Sequence, residues 1–168
     1  SGEPIPASAP GTFPLRTLPH TAFKPGEKLT YVLHYGFVNA GEATLELRET
    51  DLKSQGRTML QAVGKGRSLG AYNTFYKVND HYETYFDREG VFPWIFMRRV
   101  SEGGYQISQE YAYMQHLHQV NTQKKQTHTV PAHVQDMLSA FYYARTIDYS
   151  KAKPGDEFMI DCFLDDEL

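Results

Sequence analysis

Cysteine is almost missing from this chain. Cys162 is the only one in 168 residues, which excludes an internal disulfide and any cysteine-built zinc site. With Ile160 and Phe163 beside it, Cys162 reads as a small strand residue. Long apolar runs are missing too, and nothing approaches the roughly 20 residues of a membrane-spanning helix. Basic residues are not in excess: 17 Lys and Arg face 20 Asp and Glu, for a net charge of −3. A pI near 6.1 leaves no electrostatic footprint for nucleic acid, so nucleic acid is not expected as a partner. The chain opens Ser1-Gly2 without a signal peptide, and its compartment is not readable from that.

Motifs for chemistry are equally scarce. The stretch GKGRSLG, with Gly64, Gly66 and Gly70, lacks the Lys-Ser/Thr pair and the following helix of a phosphate loop. Gly66-Arg67-Ser68-Leu69-Gly70 matches the nucleophile elbow letter by letter, but AYNTFYKV follows it. That reads as strand, where the elbow needs a helix. Strand curvature or a bend accounts for these glycines. Seven histidines include His116 and His118 on one face of an expected strand, with His128 and His133 downstream. No HExxH completes a zinc set, so no metal and no cofactor is expected. The acidic run Asp156, Glu157, Asp161, Asp165, Asp166 and Glu167 has no EF-hand spacing and reads as charge on an exposed edge strand.

What the chain does have is aromatic residues, 12 Tyr and 10 Phe against one Trp, a composition that favours strands with ring-lined faces. Prolines crowd the start, at positions 4, 6, 10, 14, 19 and 25. Residues 1–24 are therefore expected to form an extended arm. Its first ten residues read as a mobile leader, and Phe13, Leu15 and Leu18 as docking points. A single β-rich domain is expected over 25–168.

Within that domain, Leu29 to Val38 alternates, with Leu29, Tyr31, Leu33, Tyr35 and Phe37 on one face. A turn at Asn39-Ala40-Gly41 is expected to lead into a strand over Glu42–Glu49, making a hairpin. Further strands are expected over Arg57–Gly66, Phe75–Asp87, Phe92–Ser101 and Tyr105–Met114. A strand pair turning at Asn121-Thr122 is expected within His116–Thr129, and a last strand over FMIDCFLDDEL. One stretch, Val130 to Ile147, carries helical spacing through Val134, Met137, Leu138, Phe141 and Ala144. Pro131 suits its first turn and Arg145 its C-terminal pole. With strands as the only available partner, that apolar stripe must bury against a sheet.

Three stretches in this order, Phe23–Leu47, Phe75–Asp87 and Val130–Arg145, together resemble the family of exported bacterial proteins known as DUF 3108. The resemblance runs from about Phe23 to the end of the chain. It implies export to the periplasm or outer envelope of Gram-negative bacteria, and it transfers no catalytic residue. The family continues with several more strands past Asp165-Asp166-Glu167, which implies a domain lacking its C-terminal part.

The expected fold is mainly β: a curved antiparallel sheet, or open half β-barrel, with the helix 132–145 on its concave face. That shape is similar to the half-barrel lipoprotein carriers of the bacterial envelope, a likeness of fold alone. A lipid or other apolar ligand between sheet and helix is the first functional expectation, with Tyr31, Tyr35, Phe37, Tyr111, Tyr113, Phe141 and Tyr142 lining the site. A second is a structural factor that pairs with an envelope protein, or with itself, through open strand edges. A third is a hydrolase of envelope glycans or lipids using Glu83, Glu110 and a nearby histidine. No catalytic residue is assigned.

Overall fold

The computed structural model describes residues 12–168. The leader expected over the first ten residues lies outside that range. Eight antiparallel strands follow one another in a single sheet, each paired with its sequence neighbours. They are β1 (Lys28–Tyr35), β2 (Val38–Ser54), β3 (Arg57–Ser68), β4 (Asn79–Asp87), β5 (Pro93–Glu102), β6 (Tyr105–Met114), β7 (Gln119–Thr122) and β8 (Thr127–Thr129). The sheet is not closed into a barrel; β1 and β8 form its two edges. Register shifts at Leu33/His34, Glu49/Lys53 and Tyr85/Phe86 add the local twist that bends such a sheet. A one-turn helix, α1 (Tyr72–Phe75), joins β3 to β4, and α2 (Met137–Ala144) lies on the concave face. The expected architecture is therefore the observed one.

Several boundaries differ, each for a local reason. The first hairpin turns at Gly36-Phe37, not at Asn39-Ala40-Gly41, because Gly36 takes φ +60° and β2 resumes at Val38. The β1 bulge at Leu33/His34 ends the simple alternation beyond Leu33. Residues 75–78 precede β4 instead of belonging to it, since α1 occupies the place read as strand. The β7–β8 turn falls after Thr122, where Lys125 takes φ +60°. His116 sits in a 3-10 turn and His118 takes φ +51°, so the two do not share a strand face.

The helix is shorter than its periodicity implied. Asp136 keeps extended backbone and caps α2, accepting hydrogen bonds from the N–H groups of Leu138 (2.7 Å) and Ser139 (2.9 Å). The Ser139 hydroxyl returns the favour to the Asp136 N–H at 3.0 Å, a capping box with serine in the distal place. Pro131 lies well outside the first turn, and His133 at φ +58° interrupts any helix there. Val134 is buried, but ahead of the helix. The inward residues of α2 are Leu138, Ser139 and Tyr142, while Met137 and Phe141 are 41% and 36% exposed. The buried face is thus rotated from the expected stripe.

Leu138 packs against two core clusters at once. One gathers Leu47, Leu60, Ala62, Phe86 and Tyr142; the other gathers Phe96, Tyr111, Tyr113, Val120 and Phe163. The Thr84 hydroxyl, from β4, donates to Asp136 at 2.5 Å and pins the start of the helix to the sheet.

The proline-rich segment docks as its apolar residues suggest. Phe13 stacks on His118 with ring centroids 3.7 Å apart. Leu15 packs on a third cluster of Met59, Phe92 and Trp94, and Leu18 on the first. The Arg16 guanidinium donates to the carbonyls of Gly90 and Val91 at 2.7 and 2.8 Å. Arg145 closes the other end of α2 on Glu27 at 2.5 Å and on the Ala22 carbonyl at 2.9 Å.

No final strand forms over residues 158–168. The segment makes only a bridge from Cys162 to Gln135 and another from Leu164 to Glu167. Asp165 and Asp166 adopt φ +54° and +64°, a conformation short acidic side chains tolerate and strands do not contain. Their charges are engaged, Asp165 with Arg98 of β5 and Asp166 with Lys124 in the β7–β8 turn. The acidic run is therefore not an edge strand.

Burial raises the Asp136 carboxyl from 3.8 to about 6 despite its three donors. Folded protein therefore holds a proton that unfolded chain has released, and this contribution to stability falls as pH rises between 3.8 and about 6. A displacement of about two pH units corresponds to about 3 kcal/mol. Asp136→Asn keeps a cap acceptor and removes the charge. Urea titrations across that window should show native stability falling relative to the variant; parallel curves would contradict a buried, proton-holding Asp136.

Candidate functional site

The helix covers only part of the concave face. Cross-strand register places Tyr31 opposite Ala43, Ala43 opposite Gly66, and Gly66 opposite Asp80. Directly opposed residues share a face, so this row runs across β1, β2, β3 and β4 beside the flank of α2. The adjacent row is Leu33, Gly41 and Ser68. With alanine and glycine in the middle of both rows, the sheet there has walls and almost no side chains on its floor.

Two adjoining cavities of about 310 and 320 Å³ occupy this trough and share Ala43, Gly66 and Asp80. Each is at the lower end of the roughly 300–1,000 Å³ range of small-molecule sites. Tyr31, Met137, Leu138 and Phe141 wall the cavity next to the helix. Leu33, Tyr72, Tyr76 and Val78 wall the other.

The two mid-strand glycines have different neighbours. A Cβ on Gly64 would stand 3.3 Å from the Leu138 Cδ2, under the helix. A Cβ on Gly66 would meet only the Asp80 Cβ, at 3.9 Å. Gly64 therefore admits the helix, and Gly66 leaves the trough empty. Gly70, at φ +54°, supplies the bend read from the sequence.

Asp80 is the carboxylate common to both cavities, and it is 93% shielded from solvent, with a relative exposure of 7%. One of its oxygens accepts the Ser101 N–H at 3.0 Å. Glu102 lies beside it, and hydrogen bonding to Asp80, with burial and charge repulsion behind it, raises the Glu102 carboxyl above its usual range. Burial, and then the Asp80 charge, raises the Tyr82 hydroxyl. Lys65 is exposed and alternates with Gly64 and Gly66, on the other face of β3. Arg67 pairs with Glu42 at 3.0 Å. Arg98 binds Asp165 and donates to Gln109 at 2.5 Å.

The seven expected lining residues do not converge. Tyr31 and Phe141 wall the trough. Tyr35 stands at its mouth, 6.0 Å from Tyr72 between ring centroids, and Phe37 is fully exposed at the hairpin tip. Tyr142 fills the core beneath the helix, and Tyr111 and Tyr113 belong to the second core cluster. Leu33, Ala43, Gly66, Asp80, Tyr72 and Tyr76 were not singled out as lining residues. Only the alternation of β1 and the glycine cluster pointed towards them.

Glu83 and Glu110 lie in one row across β4, β5 and β6, separated by Met97. Glu83 is held by His81 at 2.6 Å and Gln61 at 3.1 Å, and Glu110 by Arg99 at 2.6 Å. Each carboxylate is thus tied to a neighbour on the convex face. The histidines are dispersed: His118 on Phe13, His128 against Phe163, and His133 against Phe92. His133 also accepts the Arg16 N–H, and burial lowers it to about 4. Among the described residues no group of three ligands is placed to hold a metal, and no helix is long and apolar enough to cross a membrane.

A family described as Protein of unknown function (DUF3108) matches residues 30–168. No curated protein and no solved structure matches the chain significantly.

The two glycines should respond oppositely to valine. Gly64→Val drives methyl groups into Leu138 and should cost about 1–3 kcal/mol in urea unfolding. Gly66→Val meets open space and should change stability by less than about 1 kcal/mol. Equal losses at both positions would mean that the floor at Gly66 is not open.

Proposed function

We propose, for a chain that belongs to the DUF3108 family, that it is a non-enzymatic protein holding the apolar part of an amphipathic ligand in the trough over Gly66. The supporting observation is the glycine and alanine floor between aromatic walls. A strand face built for packing carries side chains that fill it, as Leu47, Leu60 and Phe86 do beneath α2. The same face beyond the helix carries none at Gly41 and Gly66, and its flanking apolar groups remain wet, Tyr31 at 48% and Leu33 at 53% exposure. Covering them with an apolar chain removes that surface from water at roughly 25 cal/mol per Å². Export to the periplasm or outer envelope is part of this reading, supported by the family resemblance.

A second reading, assembly through a strand edge, is favoured by β1. Among the described residues it pairs only with β2, and it carries the exposed Val32 and Leu33 with no proline to blunt its other side. Light scattering that finds only monomers, with no strand-adding partner, removes it.

The ligand reading is tested by native mass spectrometry and organic extraction of protein purified from a Gram-negative host. Unaltered protein should carry an amphiphile, and Gly66→Leu, which fills the floor, should lose it while melting normally. An empty unaltered protein that also binds no added alkyl chain would overturn the proposal.

A further inference from the structure

Of the charged residues that line the trough, Asp80 is the buried one in the floor row, while Glu42, Lys65 and Arg67 stand at the alternating positions. We infer that the site selects amphiphiles carrying a primary ammonium group, which Asp80 receives while the alkyl chain lies over Gly66. This rests on the trough being a ligand site and adds the chemistry of its head group.

Asp80 stands where the two cavities meet, so a head group there leaves its chain free to run towards either wall. One of its oxygens is satisfied by the Ser101 N–H, which fixes the side chain and leaves the carboxylate with lone pairs to offer. Opposite it is Gly66, which presents no side chain to compete. Glu102 beside it hydrogen-bonds to Asp80 and brings no positive charge. Among the described residues no lysine, arginine or histidine pairs with Asp80. Arg67 is spent on Glu42, and Arg98 on Asp165 and Gln109. A carboxylate largely removed from water and unpaired with a cation is costly. A ligand ammonium would supply both the charge and up to three donors. A carboxylate or phosphate head would meet Asp80 and Glu102 with like charge. An alcohol offers one donor without charge.

Titration calorimetry with decylamine, decanol, decanoate and decyltrimethylammonium, each below its aggregation limit, tests this on the unaltered protein. Decylamine should bind about ten-fold or more tighter than decanol. Decyltrimethylammonium, charged but without donors, should fall between them, and decanoate should be weakest. Asp80→Asn keeps an acceptor for Ser101 and should bring decylamine and decanol within about two-fold of each other. Equal affinity of decylamine and decanol for unaltered protein, or an amine preference that survives Asp80→Asn, would overturn the inference while leaving the trough as an apolar site. Failure of all four to bind would overturn the trough itself, and this inference with it. The head-group series decides the matter even if the Asn variant does not fold.

Discussion

Leu138 meets the sheet at Gly64, one of the two positions where β3 has no side chain. That approach joins the two halves of the core, because Leu138 packs on both clusters. Its orientation is set two residues earlier by Asp136, which caps the helix and takes the Thr84 hydroxyl from β4. At the far end Arg145 ties the helix to Glu27 and to the docked N-terminal segment. A short helix of low intrinsic stability is thereby held by tertiary contacts, as eight-residue helices must be.

The same constraint shapes the site. Because α2 crosses the sheet from Thr84 to Glu27, it covers Ala62 and Gly64 and leaves Gly66 beside its flank. The floor and the walls are one sheet face, built in one part for a helix and left open in the next. Met137 and Phe141, half-exposed on the helix flank, make sense as walls and not as failed core residues.

Much of this was legible from residue order. The alternation of β1 placed Leu29, Tyr31 and Leu33 on one face, and β6 runs over the expected Tyr105–Met114. Period-two patterning is a direct consequence of strand geometry, so it survives translation into structure. The helix boundaries did not survive. Val134 fits the stripe by spacing, yet it is buried by an extended segment, and His133 and Asp136 set the true start through backbone conformation and a side-chain cap. The last strand failed for a similar reason, since apolar Phe163 is buried by a segment that turns at Asp165 and Asp166. Aromatic faces also did not distinguish filling from lining: Tyr111 and Tyr113 fill the core, whereas Tyr31 walls the trough. The distinction depends on what lies opposite, and the emptiness over Gly66 follows from the register of four paired strands.

The central claim is that the bare floor around Gly66 holds an apolar chain. A crystal structure with decylamine brominated at its far end tests it most directly, because the anomalous signal of bromine locates the chain without interpretation of weak density. The account predicts bromine between the two walls over Ala43 and Gly66. Bromine on the convex face, or Tyr72 and Tyr76 closed down onto an empty floor, would contradict it.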